Sequence, residues 1–151
     1  MSPATLHLIA QAHGVAAWIA TAALAAAIPL LLRAHRARVT IAISAVAAAA
    51  ITICGGLGVL LEAAYRSRIR QQLFGRSPSL GWLFERKEHF AFGAIVLAWC
   101  TLSTMVAAQL SRDPTRARDL HAAARVAAIA AAGLALAASV MAAIVTRRAH
   151  F

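Results

Sequence analysis

Charge along this chain falls in clumps. Residues 1–32, 39–61, 89–111 and 126–146 contain no Asp, Glu, Lys or Arg, and each window is at least 21 residues long. About 20 consecutive apolar residues cross the roughly 30 Å hydrocarbon core of a bilayer as a helix. The pattern therefore predicts four spans, at about 8–32, 39–61, 89–111 and 126–146. Every charge lies between these windows or after the last one. The fold class this implies is all-α: a polytopic membrane four-helix bundle running up-down-up-down, with residues 1–151 as one transmembrane domain.

Prolines sharpen the helix starts. Ser2-Pro3, Ser77-Pro78 and Asp113-Pro114 each place a capping side chain before a proline, the N-cap and first-turn arrangement. Helices one, three and four are expected to begin there, and helix two near Arg38–Thr40. Pro29 lies inside span one, where a missing donor is expected to kink the helix near its end.

Helix two has reason to continue past Glu62 through Tyr65 to Phe74, with Gly75 suited to a terminal C′ position. Tyr65, Ile69 and Leu73 recur every four residues, whereas Arg66, Arg68 and Arg70 face elsewhere. Helices two and three are thus expected to extend beyond the membrane as a hairpin. Its apolar stripe either packs on helix three through Leu80, Leu83 or Phe84, or rests on anionic headgroups.

Composition agrees with the pattern. The chain is 62% apolar and 13% charged, where a soluble domain has about 45–50% and about 25%. Forty-one alanines, and arginine at 14 of the 15 basic positions, are the skew of a GC-rich bacterial genome; a bacterial inner membrane is the expected location. The first basic residue, Arg33, follows the whole first span, so no cleaved signal peptide is expected. Four spans put both termini on one side, face A. Face A also receives the Glu62–Glu88 connection and eight basic residues, against seven on face B, so the positive-inside rule gives no orientation. The net charge of +10 suits contact with anionic lipid. Without a recognition module, the arginines give no reason to expect a nucleic-acid partner.

Polar residues in or at the edge of spans are functional candidates. Measured from the first face-B arginine of each helix at 1.5 Å per residue, His13 lies about 30 Å away, His7 about 39 Å, Glu62 about 36 Å, His89 about 35 Å, Glu88 about 36 Å and Glu85 about 40 Å. All six fall in one layer near face A. Glu85, His89, Phe92, Val96, Trp99 and Ser103 share one helical face. Thr40, Ser44, Ala48, Gly55, Gly58 and Glu62 form a stripe on helix two that Ile51 interrupts. On helix one, His7, Gln11, Gly14, Trp18 and Thr21 align, and His13 points about 120° away from His7.

Three readings of this layer stay open. In the first, His13 and His89 are the axial ligands of a b-type haem, Gly14 and Gly93 give clearance, and Arg66, Arg86 and Lys87 meet the propionates. In the second, Glu62 and Arg66 pair at i,i+4 and Glu85, Arg86, Lys87, Glu88 and His89 satisfy one another as an interfacial network. The third is a metal or proton-relay site. A di-metal carboxylate centre uses Glu-x-x-His, and His89 instead follows Glu85 by four.

The remaining candidates have plainer readings. His121 and Arg125 begin helix four above a stripe of Ala128, Ala132, Ser139 and Thr146. His35 belongs to a basic turn, and His150 sits at the end of the chain. Trp82 suits an interface anchor, with Trp18 and Trp99 as packing residues. Cys54 and Cys100 read as small hydrophobes. No P-loop, dinucleotide fingerprint, Gly-x-Ser-x-Gly or His-Glu-x-x-His is present, so no soluble-enzyme chemistry is indicated.

The segment Tyr65-Arg66-Ser67-Arg68-Ile69-Arg70 followed by Leu83-Phe84-Glu85-Arg86-Lys87-Glu88-His89 resembles a stretch of uncharacterised bacterial four-helix membrane proteins. In size, span number and the presence of a histidine in spans one and three, the chain is also similar in outline to haem-binding four-helix families such as the copper-resistance-D-like proteins. That likeness implies haem b and an electron-transfer or oxidoreductase role. The alternative is a cofactor-free structural or assembly subunit. Its expected partners are the lipid bilayer and either another membrane protein or a second copy of the chain.

Overall fold

The structure, a computed structural model, describes residues 2–33 and 37–149, except for the side chains of Pro3, Arg68, Arg148 and Ala149. His35, Arg36 and His150 lie outside the described residues. The elements are α1 (Pro3–Arg33), α2 (Ala37–Ala64), a π-helical turn (Tyr65–Ile69), α3 (Arg70–Arg76), α4 (Pro78–Leu110) and α5 (Pro114–Ala149). Alanine, the strongest helix former, carries α1, α2 and α5 with little help from side-chain pairs.

The three proline starts are where the sequence places them. Thr5 N–H donates to Ser2 Oγ at 3.2 Å, and Thr115 N–H donates to Asp113 Oδ1 at 2.9 Å. Ser77 precedes Pro78 with extended backbone but makes no side-chain cap; its hydroxyl lies 2.8 Å from that of Ser79. α1 runs through Pro29 to Arg33 as one helix. One expectation needs correction. Gly75 is inside the last turn of α3, and Ser77 is the cap, its N–H bonded to the Leu73 carbonyl.

α1, α2, α4 and α5 are each long and apolar enough to cross a membrane, and the protein is a multi-pass membrane protein. α1 packs on α2 and α5, and α4 packs on α2 and α5. The bundle is therefore a ring in which α1 and α4 are diagonal. Each span turns inward a stripe with steps of three and four residues, the spacing of knobs-into-holes packing. On α1 it runs His13, Ala17, Ala20, Leu24, Ala27, Leu31; on α2 Thr40, Ser44, Ala47, Ile51, Cys54, Gly58; on α4 Lys87, Ala91, Ala94, Ala98, Thr101, Met105; on α5 Ala124, Ala128, Ala131, Ala135. Ile51 is thus a member of the buried stripe, not an interruption.

Lipid tails offer no hydrophobic drive for helices to associate, so close packing and interhelical hydrogen bonds must hold the spans together. Small residues supply the closeness. A Cβ on Gly55 would meet Ile95 at 2.7 Å, and one on Gly93 would meet Leu134 at 2.9 Å. Hydrogen bonds join the neighbours: the Thr21 and Ser139 hydroxyls at 3.2 Å, Trp99 Nε1 to Thr52 Oγ1 at 3.0 Å, and Arg125 Nε to the Leu31 carbonyl at 3.2 Å. Large apolar side chains such as Val15, Ile19, Val46, Val59, Phe92 and Val126 point outward, as lipid solvation permits.

At face A the hairpin forms as the apolar stripe requires. Tyr65, Leu73 and Val145 are buried together, with Ile69, Leu80, Leu83 and Phe84 against them. Two steps of four residues drift by about 80° on an α-helix; the wider π turn at Tyr65–Ile69 takes up that drift. Gly81 is required here, because a Cβ would lie 2.7 Å from three ring carbons of Phe74.

Candidate functional site

The face-A layer resolves into an inner and an outer set. The inner set comes from three helices. His13, on the inward stripe of α1, donates from Nδ1 to the Cys54 carbonyl of α2 at 3.0 Å. The Cys54 thiol lies 3.7 Å from the same nitrogen and 3.8 Å from the His13 carbonyl. Gly58, one turn along α2, leaves room for the imidazole: a Cβ there would sit 3.3 Å from His13 Cε1. Cys54 is buried, and its backbone carbonyl, which has a second lone pair beyond its helical bond, meets the ring away from lipid.

Lys87 of α4 completes the set. It lies seven residues before the fully buried Ala94, hence on the same inward face, and it is the chain's single lysine. Its ammonium rests 3.9 Å from the centre of the Phe84 ring, close enough to His13 and Cys54 for its charge to act on both. The Phe84 ring is itself stacked on Tyr65, at 3.9 Å and 16°. The Tyr65 hydroxyl is buried with no hydrogen-bond partner among the described residues.

The outer set consists of local pairs. Arg66 binds Glu62 one turn back, from Nε at 2.8 Å and from Nη2 at 2.6 Å. Arg70 Nε reaches Glu85 at 2.8 Å, tying the start of α3 to α4. His89 is exposed and donates from Nδ1 to the Glu85 carbonyl of its own helix at 3.0 Å. His7, also exposed, pairs with Gln11 at 3.0 Å. Arg86 and Glu88 are exposed.

The expected residues therefore share a depth but not a centre. His13 and Lys87 both lie on inward stripes, while His89 turns outward with Phe92, Val96, Trp99 and Ser103. Trp18 and Trp99, expected as packing residues, are about half exposed. Among the described residues, no three of His, Cys, Asp and Glu gather as a metal-ion site. Cys54 was expected only as a small hydrophobe, and its backbone contact with His13 has no sequence signature. Lys87 did have one: it opens the run of small residues Ala91, Ala94, Ala98 and Thr101.

Two gaps lie elsewhere in the bundle. One, of about 10 Å3, is lined by residues of all four spans, among them Ser44 and Thr101; the buried Ser44 hydroxyl has no partner among the described residues. The other, of about 80 Å3, lies toward face B among Leu31, Thr40, Met105, Gln109 and His121. Compared with known proteins, the chain matches no family model, no curated protein and no solved structure.

Proposed function

We propose that the protein is a cofactor-free structural or assembly subunit of a membrane complex, with the hairpin and the outer span faces as its contact surfaces. One observation carries this reading. His13 lies on the inward stripe of α1, whereas His89 is exposed and bonded to the Glu85 carbonyl of its own helix on the outward face of α4, so the two imidazoles do not face one another.

An absorption spectrum of the detergent-purified protein from haem-replete cells tests the reading. The expected result is no Soret band; a stoichiometric band lost in His13→Ala and His89→Ala would overturn it. In mild detergent the same preparation is expected to travel as an assembly larger than one chain, holding a partner or a second copy. A lone monomer would count against the subunit role.

A second reading, haem b on His13 and His89 with an electron-transfer or oxidoreductase role, has one observation in its favour. In both histidines Nδ1 donates to a backbone carbonyl, which leaves Nε2 as the free nitrogen. Metal-ligating histidines are commonly held in this way. In that reading Arg66, Arg86 and Lys87 serve the propionates, and the spectrum above decides between the two.

A further inference from the structure

We infer that the face-B half of the bundle encloses a water-filled vestibule ending in one bound water, held between Ser44 of α2 and Thr101 of α4. The inference goes beyond the subunit reading and does not draw on it, because His13 and the hairpin lie toward the other end. It begins from the hydroxyls of the spans. Thr21, Thr52, Thr101, Thr104 and Thr146 each donate to the carbonyl four residues back, at 2.7–2.9 Å, a bond that satisfies such a group within its own helix. Ser44 departs from this pattern. It is 3% exposed, its hydroxyl bonds neither its own helix nor any other described residue, and it lines the gap of about 10 Å3.

A buried hydroxyl without a partner is destabilising, and the gap beside it has the size and chemistry for one water. A cavity of about 10–15 Å3 is the smallest that admits a water, which needs two to four polar partners. Thr101 commits its proton to the Leu97 carbonyl at 2.8 Å, so its oxygen is left to accept. Ser44 keeps its proton to donate. A water between them accepts from Ser44, donates to Thr101 and thereby bridges α2 to α4. A hard cation is a poorer occupant, since two neutral hydroxyls are too few oxygen ligands for one.

Water reaches this site from face B. The gap of about 80 Å3 is lined by Leu31, Thr40 and Met105, and the smaller one by Ala27, Ser44 and Thr101. On α1, α2 and α4 alike the step between the gaps is four residues, or about 6 Å. The two are therefore stacked one helical turn apart. The larger gap has room for several waters and begins at the membrane boundary: Thr40 is two residues from Arg38 and Gln109 three from Arg112, which is about 3–5 Å along each helix. His121 adds a polar ring from α5. Past Ser44 the way is closed, because Ala20, Ala48, Ala94 and Ala131 are each 0% exposed and present only methyl groups.

Solid-state NMR of the full chain in phosphatidylcholine vesicles tests the site, through magnetisation transferred from water to labelled Ser and Thr side chains. Transfer is expected at Thr40, Ser44 and Thr101. Thr21 and Ser139, whose hydroxyls meet each other in the same interior, are the dry comparison and are expected to receive none. Ser44→Ala removes one of the two partners of the water and is expected to abolish transfer at Thr101 while Thr40 stays wetted. Thr101→Val is the reciprocal variant, expected to abolish transfer at Ser44, and it gives the same test should the first variant fail to fold. Transfer at Ser44 no greater than at Thr21 and Ser139 would overturn the bound water. Undiminished transfer at the remaining hydroxyl in either variant would overturn the bridge, and a wetted Ser44 beside a dry Thr40 would overturn entry from face B.

Discussion

The middle of the bundle and its face-A end are built on different principles. In the middle, Ala20, Ala47, Ala48, Ala94, Ala98 and Ala131 fill the interior with methyl groups, and stability comes from backbones that approach closely. At face A the interior holds Tyr65, Leu73, Phe84 and Val145, together with an imidazole and an ammonium. Small residues tolerate little added volume. Large ones tolerate little loss. The contrast is that the middle fixes how the spans cross by close backbone approach, whereas the end is held by large side chains and carries the polar groups.

Substitutions can break this comparison. Leu73→Ala, at 1% exposure the largest fully buried side chain, is expected to cost about 2–5 kcal/mol by opening a cavity, measured by unfolding in mixed micelles. Ala94→Leu, at 0% exposure, is expected to cost about 1–3 kcal/mol by overpacking. A neutral Ala94→Leu would mean that the alanine core is loose and the distinction false. Ser139→Ala removes a hydroxyl contact with Thr21 and is expected to lower stability by about 0.6 kcal/mol, the average for such bonds in membranes.

Smaller effects sharpen the end itself. Tyr65→Phe deletes a buried hydroxyl without a partner, so stability is expected to hold or to rise by up to about 1 kcal/mol. A loss beyond that would show that the hydroxyl has a partner, such as a buried water. Arg66→Gln breaks an exposed i,i+4 pair and is expected to leave the unfolding midpoint unchanged, since such pairs contribute little in water.

Much of this architecture is legible in the sequence because lipid excludes charge so strongly. The gaps between charges marked the four spans, prolines after Ser2, Ser77 and Asp113 marked three helix starts, and Tyr65, Ile69 and Leu73 marked the hairpin seam. The site was less legible. On α4 two faces satisfy the same three-four spacing, one through His89, Val96 and Ser103 and one through Lys87, Ala94 and Thr101. Polarity draws attention to the first. Close packing in lipid selects the second, because only there are the residues small enough. His13 is the parallel case on α1: it falls in step with Ala17, Ala20 and Leu24, whereas His7 and Gln11 fall on the outer face. Depth alone put all of them in one layer, and depth does not say which way a side chain turns.

The orientation of α4 is therefore the central claim, and oxygen accessibility of nitroxide labels placed one at a time along residues 87–108 in vesicles tests it most directly. The account predicts a 3.5-residue oscillation, with protection at positions 87, 94, 98, 101, 105 and 108 and high oxygen exposure at 89, 92, 96, 99 and 103. The opposite phase, with 89, 96 and 103 protected, would place His89 inside the bundle and contradict it.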